Sequence, residues 1–126
     1  MDPLRILLVD DETRILRALK ALFRDCGVAV TTDAVNAAKI ARAHDVDVVI
    51  CDQRMPAMTG VEVLRELRTL HPRAIRLLLT GYSDLKAVLG SVNEGEVWRF
   101  VNKPWNNAEL RALVTATQPT IRYKPR

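Results

Sequence analysis

Cysteine is scarce: the 126-residue chain holds only Cys26 and Cys51. Two scattered thiols among apolar neighbours cannot build a disulfide framework or a zinc site, so both read as buried, inert groups. Histidine is equally rare, at His44 and His71. Each falls near an expected helix end, where a solvated or capping role follows. No apolar run approaches the roughly 18 residues that span a bilayer. The opening Met1-Asp2-Pro3 lacks the cationic segment leading into an apolar one that a secretory signal would show. A cytoplasmic location is therefore expected. Glycine-rich phosphate loops and a serine nucleophile elbow are missing too, which argues against P-loop nucleotide hydrolysis and triad-type acyl transfer. Charge of one sign is not concentrated. The net charge is +4, but the cations are scattered along helix faces, apart from Arg122, Lys124 and Arg126 in the tail, as on an ordinary solvated surface.

What is present is a chain of one-domain length whose apolar pattern alternates between two periods. Leu4–Val9 is a short apolar run bounded by turn residues, which predicts a buried strand. Residues 12–26 carry Ile15, Leu16, Leu19, Leu22, Phe23 and Cys26 at helical spacing, with Gly27 placed to end that helix. Val28–Thr32 is a second, more polar strand, followed by an alanine-rich helix over 34–44. Val46–Cys51 is apolar on both faces. Gly60 opens a helix that Pro72 closes after His71. Ile75–Leu79 and Val97–Val101 complete the strands. Between them Ser83 or Asp84 caps a helix that buries Leu85, Val88, Leu89 and Val92 and ends at Gly95. A last helix starts at Asn106 or Asn107 and reaches about Ala116.

Five strands alternating with five helices predict an α/β fold: a doubly wound, five-stranded parallel sheet of order 2-1-3-4-5, in a flavodoxin-like three-layer sandwich. The domain is expected over residues 1–117, with 118–126 as the start of a linker or tail.

Four polar signatures each end an apolar run: Asp10-Asp11, Asp52, Thr80 and Lys103-Pro104. In such a sheet the carboxyl ends of the strands share one edge, and ligands bind there where the strand order reverses. Asp10, Asp11 and Asp52 converge at that point. Three carboxylates repel one another, and hard oxygen donors of this kind suit magnesium. Each residue alone has a plainer reading: Asp10 or Asp11 as a helix cap, Asp52 and Thr80 as turn residues, Lys103 as a surface charge. Taken together, a hydroxyl and an ammonium beside a metal are what phosphoryl oxygens require.

The segments ILLVDDE (6–12), CDQRMPAMTG (51–60), LLLTGYSD (77–84) and FVNKPW (100–105) resemble the receiver domain of bacterial two-component response regulators, in register over roughly residues 4–117. The resemblance implies that Asp52 is the nucleophile that accepts a phosphoryl group from a histidine kinase. It implies Asp11, Asp52 and the Arg54 backbone carbonyl as magnesium ligands, with Asp10 holding a metal-bound water. Lys103 and Thr80 would answer the new phosphoryl charge. Phe100 takes the aromatic switch position, and the Lys103-Pro104 bond is expected to be cis. The wording of the motifs further resembles receivers of NtrC-type, enhancer-binding regulators of the hydrogenase kind. It is also similar in style to receivers of cyclic-diguanylate phosphodiesterase regulators. An aspartyl-phosphate phosphatase would need an acid two residues after the nucleophile, where this chain has Arg54. A flavodoxin-like binding module would not place Asp10-Asp11 after its first strand.

Three further expectations are particular to this chain. Arg54 and Tyr82, at the pocket rim, would shield the phosphoryl group from water. Trp98 and Phe100 would point to the same side of the last strand and anchor a homodimer or partner contact. Trp105 would serve core packing. DNA contact is expected only through an output domain outside this chain.

Overall fold

A computed structural model describes residues 3–117, except for the side chains of Tyr82, Ala87 and Asn93. The expected tail over 118–126 lies outside the described residues, as does any role of the Tyr82 side chain. The chain runs β1 (Arg5–Val9), α1 (Thr13–Leu22), β2 (Gly27–Thr31), α2 (Ala37–Ala43), β3 (Val48–Asp52), α3 (Gly60–Leu70), β4 (Ile75–Thr80), a 3-10 turn (Tyr82–Asp84), α4 (Leu85–Asn93), β5 (Arg99–Asn102) and α5 (Asn107–Thr115). The five strands form one parallel sheet in the order β2-β1-β3-β4-β5.

Alternation along the strands splits the core in two. Leu7, Val9, Val49, Cys51 and Leu78 face one way, against Ala37, Ala38 and Ala41 of α2, Val63, Leu64 and Leu67 of α3, and Val88 of α4. Ile6, Leu8, Val48, Ile50, Leu77 and Leu79 face the other way, against Leu16 and Leu19 of α1, Phe23, and Leu110 and Val114 of α5. Burial on both faces is why β1, β3 and β4 read as continuous apolar runs. The edge strand β2 is only part-buried, which explains its more polar composition.

Several local expectations are corrected. Helix α1 stops at Leu22, not at Gly27: Phe23 caps it, and the Cys26 N–H turns back to the Phe23 carbonyl at 2.9 Å. Gly27 instead begins β2. His71 is buried, not solvated, and its Nε2 lies 3.0 Å from the Val46 carbonyl, so it joins α3 to the chain entering β3. His44 does sit at an exposed helix end. Leu89 is 44% exposed and does not belong to the buried stripe of α4. Cys51 is buried as expected, while Cys26 is only half-buried.

The aromatic pair is also corrected. Gly95 has φ +79° and closes α4 in a Schellman turn: its N–H donates to the Val92 carbonyl (3.1 Å) and the Glu96 N–H to that of Ser91 (2.9 Å). That turn occupies residues 94–97, so β5 starts only at Arg99, and Trp98 falls at a bend before the strand. Trp98 consequently packs with the α1/α5 side of the core, and Phe100 with the opposite side. The two rings do not share a face. Trp105 packs partly against the α1/α5 side, as expected for core packing, and its Nε1 donates to Asn107 at 2.9 Å.

The edge of the sheet away from the strand ends is held by side chains. Arg76 of β4 donates to the carbonyls of Pro72, Ala74, Gly95 and Glu96 at 2.9–3.2 Å. This clamps the turn after α4 to the start of β4, and Arg65 adds a 2.6 Å ion pair to Glu96.

Candidate functional site at the carboxyl edge of the sheet

Parallel pairing sets the ends of β1, β3 and β4 side by side. Val9 is level with Cys51, and Asp52 with Leu79. Asp10, Asp52 and Thr80 therefore emerge together, and all three are buried. Lys103 follows β5, and its N–H donates to the Thr80 carbonyl at 3.0 Å. The Lys103–Pro104 peptide is cis, as the resemblance implies. Lys103 Nζ contacts Asp52 Oδ1 as an ion pair. One oxygen from each of Asp10, Asp11 and Asp52 lies within 4.8 Å of the others, with Asp11 exposed.

The carboxylates are electrostatically loaded. Asp10 Oδ1 accepts the Glu12 N–H at 2.9 Å, so Asp10 does support the entry to α1. Its Oδ2 is buried with no hydrogen-bond partner. Burial raises the Asp10 pKa from 3.8 to about 6; the Glu12 N–H opposes this, and repulsion from Asp52 adds to it. Burial also raises the Asp52 pKa, opposed by Lys103 and by the Arg54 backbone N–H and reinforced by Asp11. An orphaned buried carboxylate oxygen beside two further carboxylates fits a hard divalent cation, whose bound water would supply the missing partner.

Asp52 also depends on what is absent at Gly60. A Cβ at Gly60 would collide with the Asp52 carbonyl oxygen and come within 2.6 Å of Leu78 Cδ1. Only glycine lets the start of α3 approach the end of β3 this closely. Around it, the Gly60 N–H donates to the Gln53 carbonyl at 3.0 Å, and the Gln53 side-chain oxygen accepts the Val61 N–H at 3.0 Å. Thr59 and Glu62 form a reciprocal capping box. Gly60→Ala is expected to cost about 1–3 kcal/mol by overpacking and to displace the Asp52 backbone, seen as a lower midpoint in urea and a shifted Asp52 amide resonance.

A cleft of about 200 Å³ opens above this edge, lined by Asp52, Gln53, Arg54, Thr80, Gly81, Ser83, Asp84 and Lys103. Thr80 Oγ1 donates to the Gly81 carbonyl at 3.3 Å. Phe100 is half-buried and packs against the core on the side of the sheet covered by α2, α3 and α4. Arg54 does stand at the rim, but its guanidinium is not free in solvent. It pairs with Asp84, Nε to Oδ2 at 2.9 Å and Nη2 to Oδ1 at 3.2 Å. Asp84 thus makes no side-chain cap on α4, contrary to its expected role. The cap on α5 is Asn106, which accepts the Glu109 N–H at 3.0 Å. Sequence reasoning missed Asp84 as the partner of Arg54, and it missed Gln53 and Gly60 as supports of Asp52. The glycine directly after a Ser/Thr-type cap and close to a candidate nucleophile was the available signal.

The response regulator receiver domain family matches over residues 6–115. Among curated proteins, the chain is 39% identical over 101 residues to the hydrogenase transcriptional regulatory protein HoxA of Cupriavidus necator, covering 79% of this chain and 21% of that protein. It is 30% identical over 112 residues to the DNA-binding transcriptional regulator NtrC of Escherichia coli, covering 86% and 24%. The chain thus spans about a fifth to a quarter of the length of these relatives. Among solved structures, the signal receiver domain of an HD domain-containing protein from Pseudomonas fluorescens superposes with a TM-score of 0.87 at 31% identity, covering 97% of this chain and 91% of that one.

Proposed function

The chain belongs to the response regulator receiver domain family, and from that premise we propose that Asp52 is the phosphoacceptor of a two-component signalling pathway. The observation that carries the reading is the Asp52 carboxylate, paired with Lys103 and gathered with Asp10 and Asp11 at one sheet edge. An Asp52 oxygen attacks the phosphorus of a phosphohistidine on a sensor kinase. The P–N bond breaks as the new P–O bond forms, and the imidazole nitrogen keeps the electron pair and takes up a proton. Magnesium, when bound, neutralises charge on the transferring group. Asp11, Asp52 and the Arg54 carbonyl are its proposed ligands, with Asp10 acting through water. Lys103 and Thr80 then bind phosphoryl oxygens, and Phe100 follows Thr80 inward as the switch. Apart from self-phosphotransfer and autodephosphorylation, no enzymatic activity is assigned.

The relatives named as transcriptional regulators support an output in transcription, of hydrogenase genes in the HoxA-like case, through a DNA-binding domain outside this chain. A cytoplasmic location and a homodimer complete the reading. Among the described residues no helix is long and apolar enough to cross a membrane. Titration with beryllofluoride and magnesium, followed by amide NMR, tests the proposal. A 1:1 adduct that requires magnesium and shifts the Asp52, Thr80 and Lys103 resonances is expected. Turnover of simple phosphate esters without a stable adduct would overturn it in favour of a phosphatase.

A further inference from the structure

Arg54 reaches across the mouth of the cleft. It leaves the end of β3 two residues after Asp52, and its guanidinium forks onto Asp84 at 2.9 and 3.2 Å, with Ser83 Oγ 3.4 Å away. Asp84 is the last residue of the 3-10 turn that leads into α4. Among the described residues no other side-chain hydrogen bond ties Ser83 or Asp84, and α4 starts without a side-chain cap. The fork is thus the side-chain tether between the Asp52 loop and the first turn of α4. Arg54 and Asp84 also line the same cleft as Asp52 and Lys103.

That tether is exchangeable. The Arg54 side chain is 72% exposed, and exposed ion pairs are weak. A phosphoryl group on Asp52 brings three acceptor oxygens and about two negative charges into the cleft that Arg54 lines. The fork onto Asp84 already engages Nε and Nη2 of Arg54, so a phosphoryl group in the cleft competes with Asp84 for the guanidinium. We propose that Arg54 is an anion-exchange latch: it holds the first turn of α4 through Asp84 while Asp52 is unmodified, and transfers to the phosphoryl oxygens once Asp52 is phosphorylated. The inference rests on the phosphoacceptor reading above and adds a device particular to this chain. The charge that constitutes the signal is the charge that releases α4. Because linkage is reciprocal, Asp84 must in turn oppose phosphoryl binding.

The test uses beryllofluoride with magnesium as the phosphoryl probe on the whole chain. In the wild-type protein the Arg54 Nε–H resonance moves when the adduct forms, and amide exchange at residues 83–86 quickens several-fold. Arg54→Ala and Asp84→Asn show the faster exchange at 83–86 without the probe. Asp84→Asn binds the probe about fivefold tighter, and Arg54→Ala binds it more weakly. The latch is overturned by an adduct that leaves the Arg54 Nε–H in place, or by equal probe affinity in Asp84→Asn and wild type. Absence of any wild-type adduct, by contrast, overturns the phosphoacceptor reading itself and the latch with it.

Discussion

The Asp52→Asn variant will take up no phosphoryl group from a small phosphodonor such as acetyl phosphate, under magnesium conditions that label the wild-type protein once. Intact mass reads the result directly. Three carboxylates compete for the role, and the geometry separates them. Asp10 is as buried as Asp52, but one of its oxygens is occupied by the Glu12 N–H and, among the described residues, no cation pairs with it. Asp11 is exposed. Asp52 combines burial with a direct cation, Lys103, at its Oδ1. The amide of Asn retains the shape and the Arg54 N–H contact but is not a competent nucleophile toward phosphorus. Asp11→Asn is the informative control: it keeps the acceptor and removes a metal donor, so labelling slows and loses its magnesium dependence. Full labelling of Asp52→Asn would relocate the acceptor to Asp10 or Asp11.

Asp52 is legible in the sequence because of the way parallel sheets are encoded. β1, β3 and β4 are buried on both faces, so each has to be a short apolar block, and a polar residue directly after such a block marks the strand's carboxyl end. Asp10, Asp52 and Thr80 stand out for that reason. Lys103 joins them once the order of the sheet is known. Contacts between loops leave no such trace. Arg54 and Asp84 lie 30 residues apart, and neither obeys a period, so the bridge across the cleft has no signature in the sequence.

The misreadings have equally local causes. Gly27 looks like a helix terminator because Cys26 extends the α1 stripe, yet the chain must turn at Phe23 to deliver Gly27 beside Arg5 in β2. His71 looks solvated because its partner is a backbone carbonyl, that of Val46, which a sequence does not display. Trp98 and Phe100 look like one face when strand alternation is extended through residues 96–98, which the Schellman turn at Gly95 and the bend at Trp98 keep out of the strand. Gly95 is recognisable as a terminator from its residue type; its reach into the following strand is not.

Asp10→Asn will make the metal-free protein more stable at pH 7, by on the order of 3 kcal/mol at most. The wild-type carboxyl is raised from 3.8 to about 6 by burial first, with repulsion from Asp52 added. The folded state therefore binds its proton more tightly than the unfolded chain does. That contribution is fully present below about pH 4 and is lost as pH rises through about 6. Asp52 is shifted in the same direction and loses stability with the same sign. Asn keeps the oxygen that accepts the Glu12 N–H and turns an N–H₂ toward the remaining carboxylates, so repulsion becomes attraction. Urea denaturation in a chelator at pH 4 and pH 7 measures the effect: the variant and the wild type nearly coincide at the lower pH and separate at the higher. Magnesium should close the gap from the other side, stabilising the wild type at pH 7 in proportion to its occupancy and the variant much less. Equal stability of the two proteins at pH 7 without metal would mean that Asp10 is not held in the charged, desolvated state on which the metal site depends. The burial and repulsion that make the metal-free carboxylate cluster costly are what would favour the proposed cation and phosphoryl group, and Asp10→Asn is expected to trade that advantage for stability.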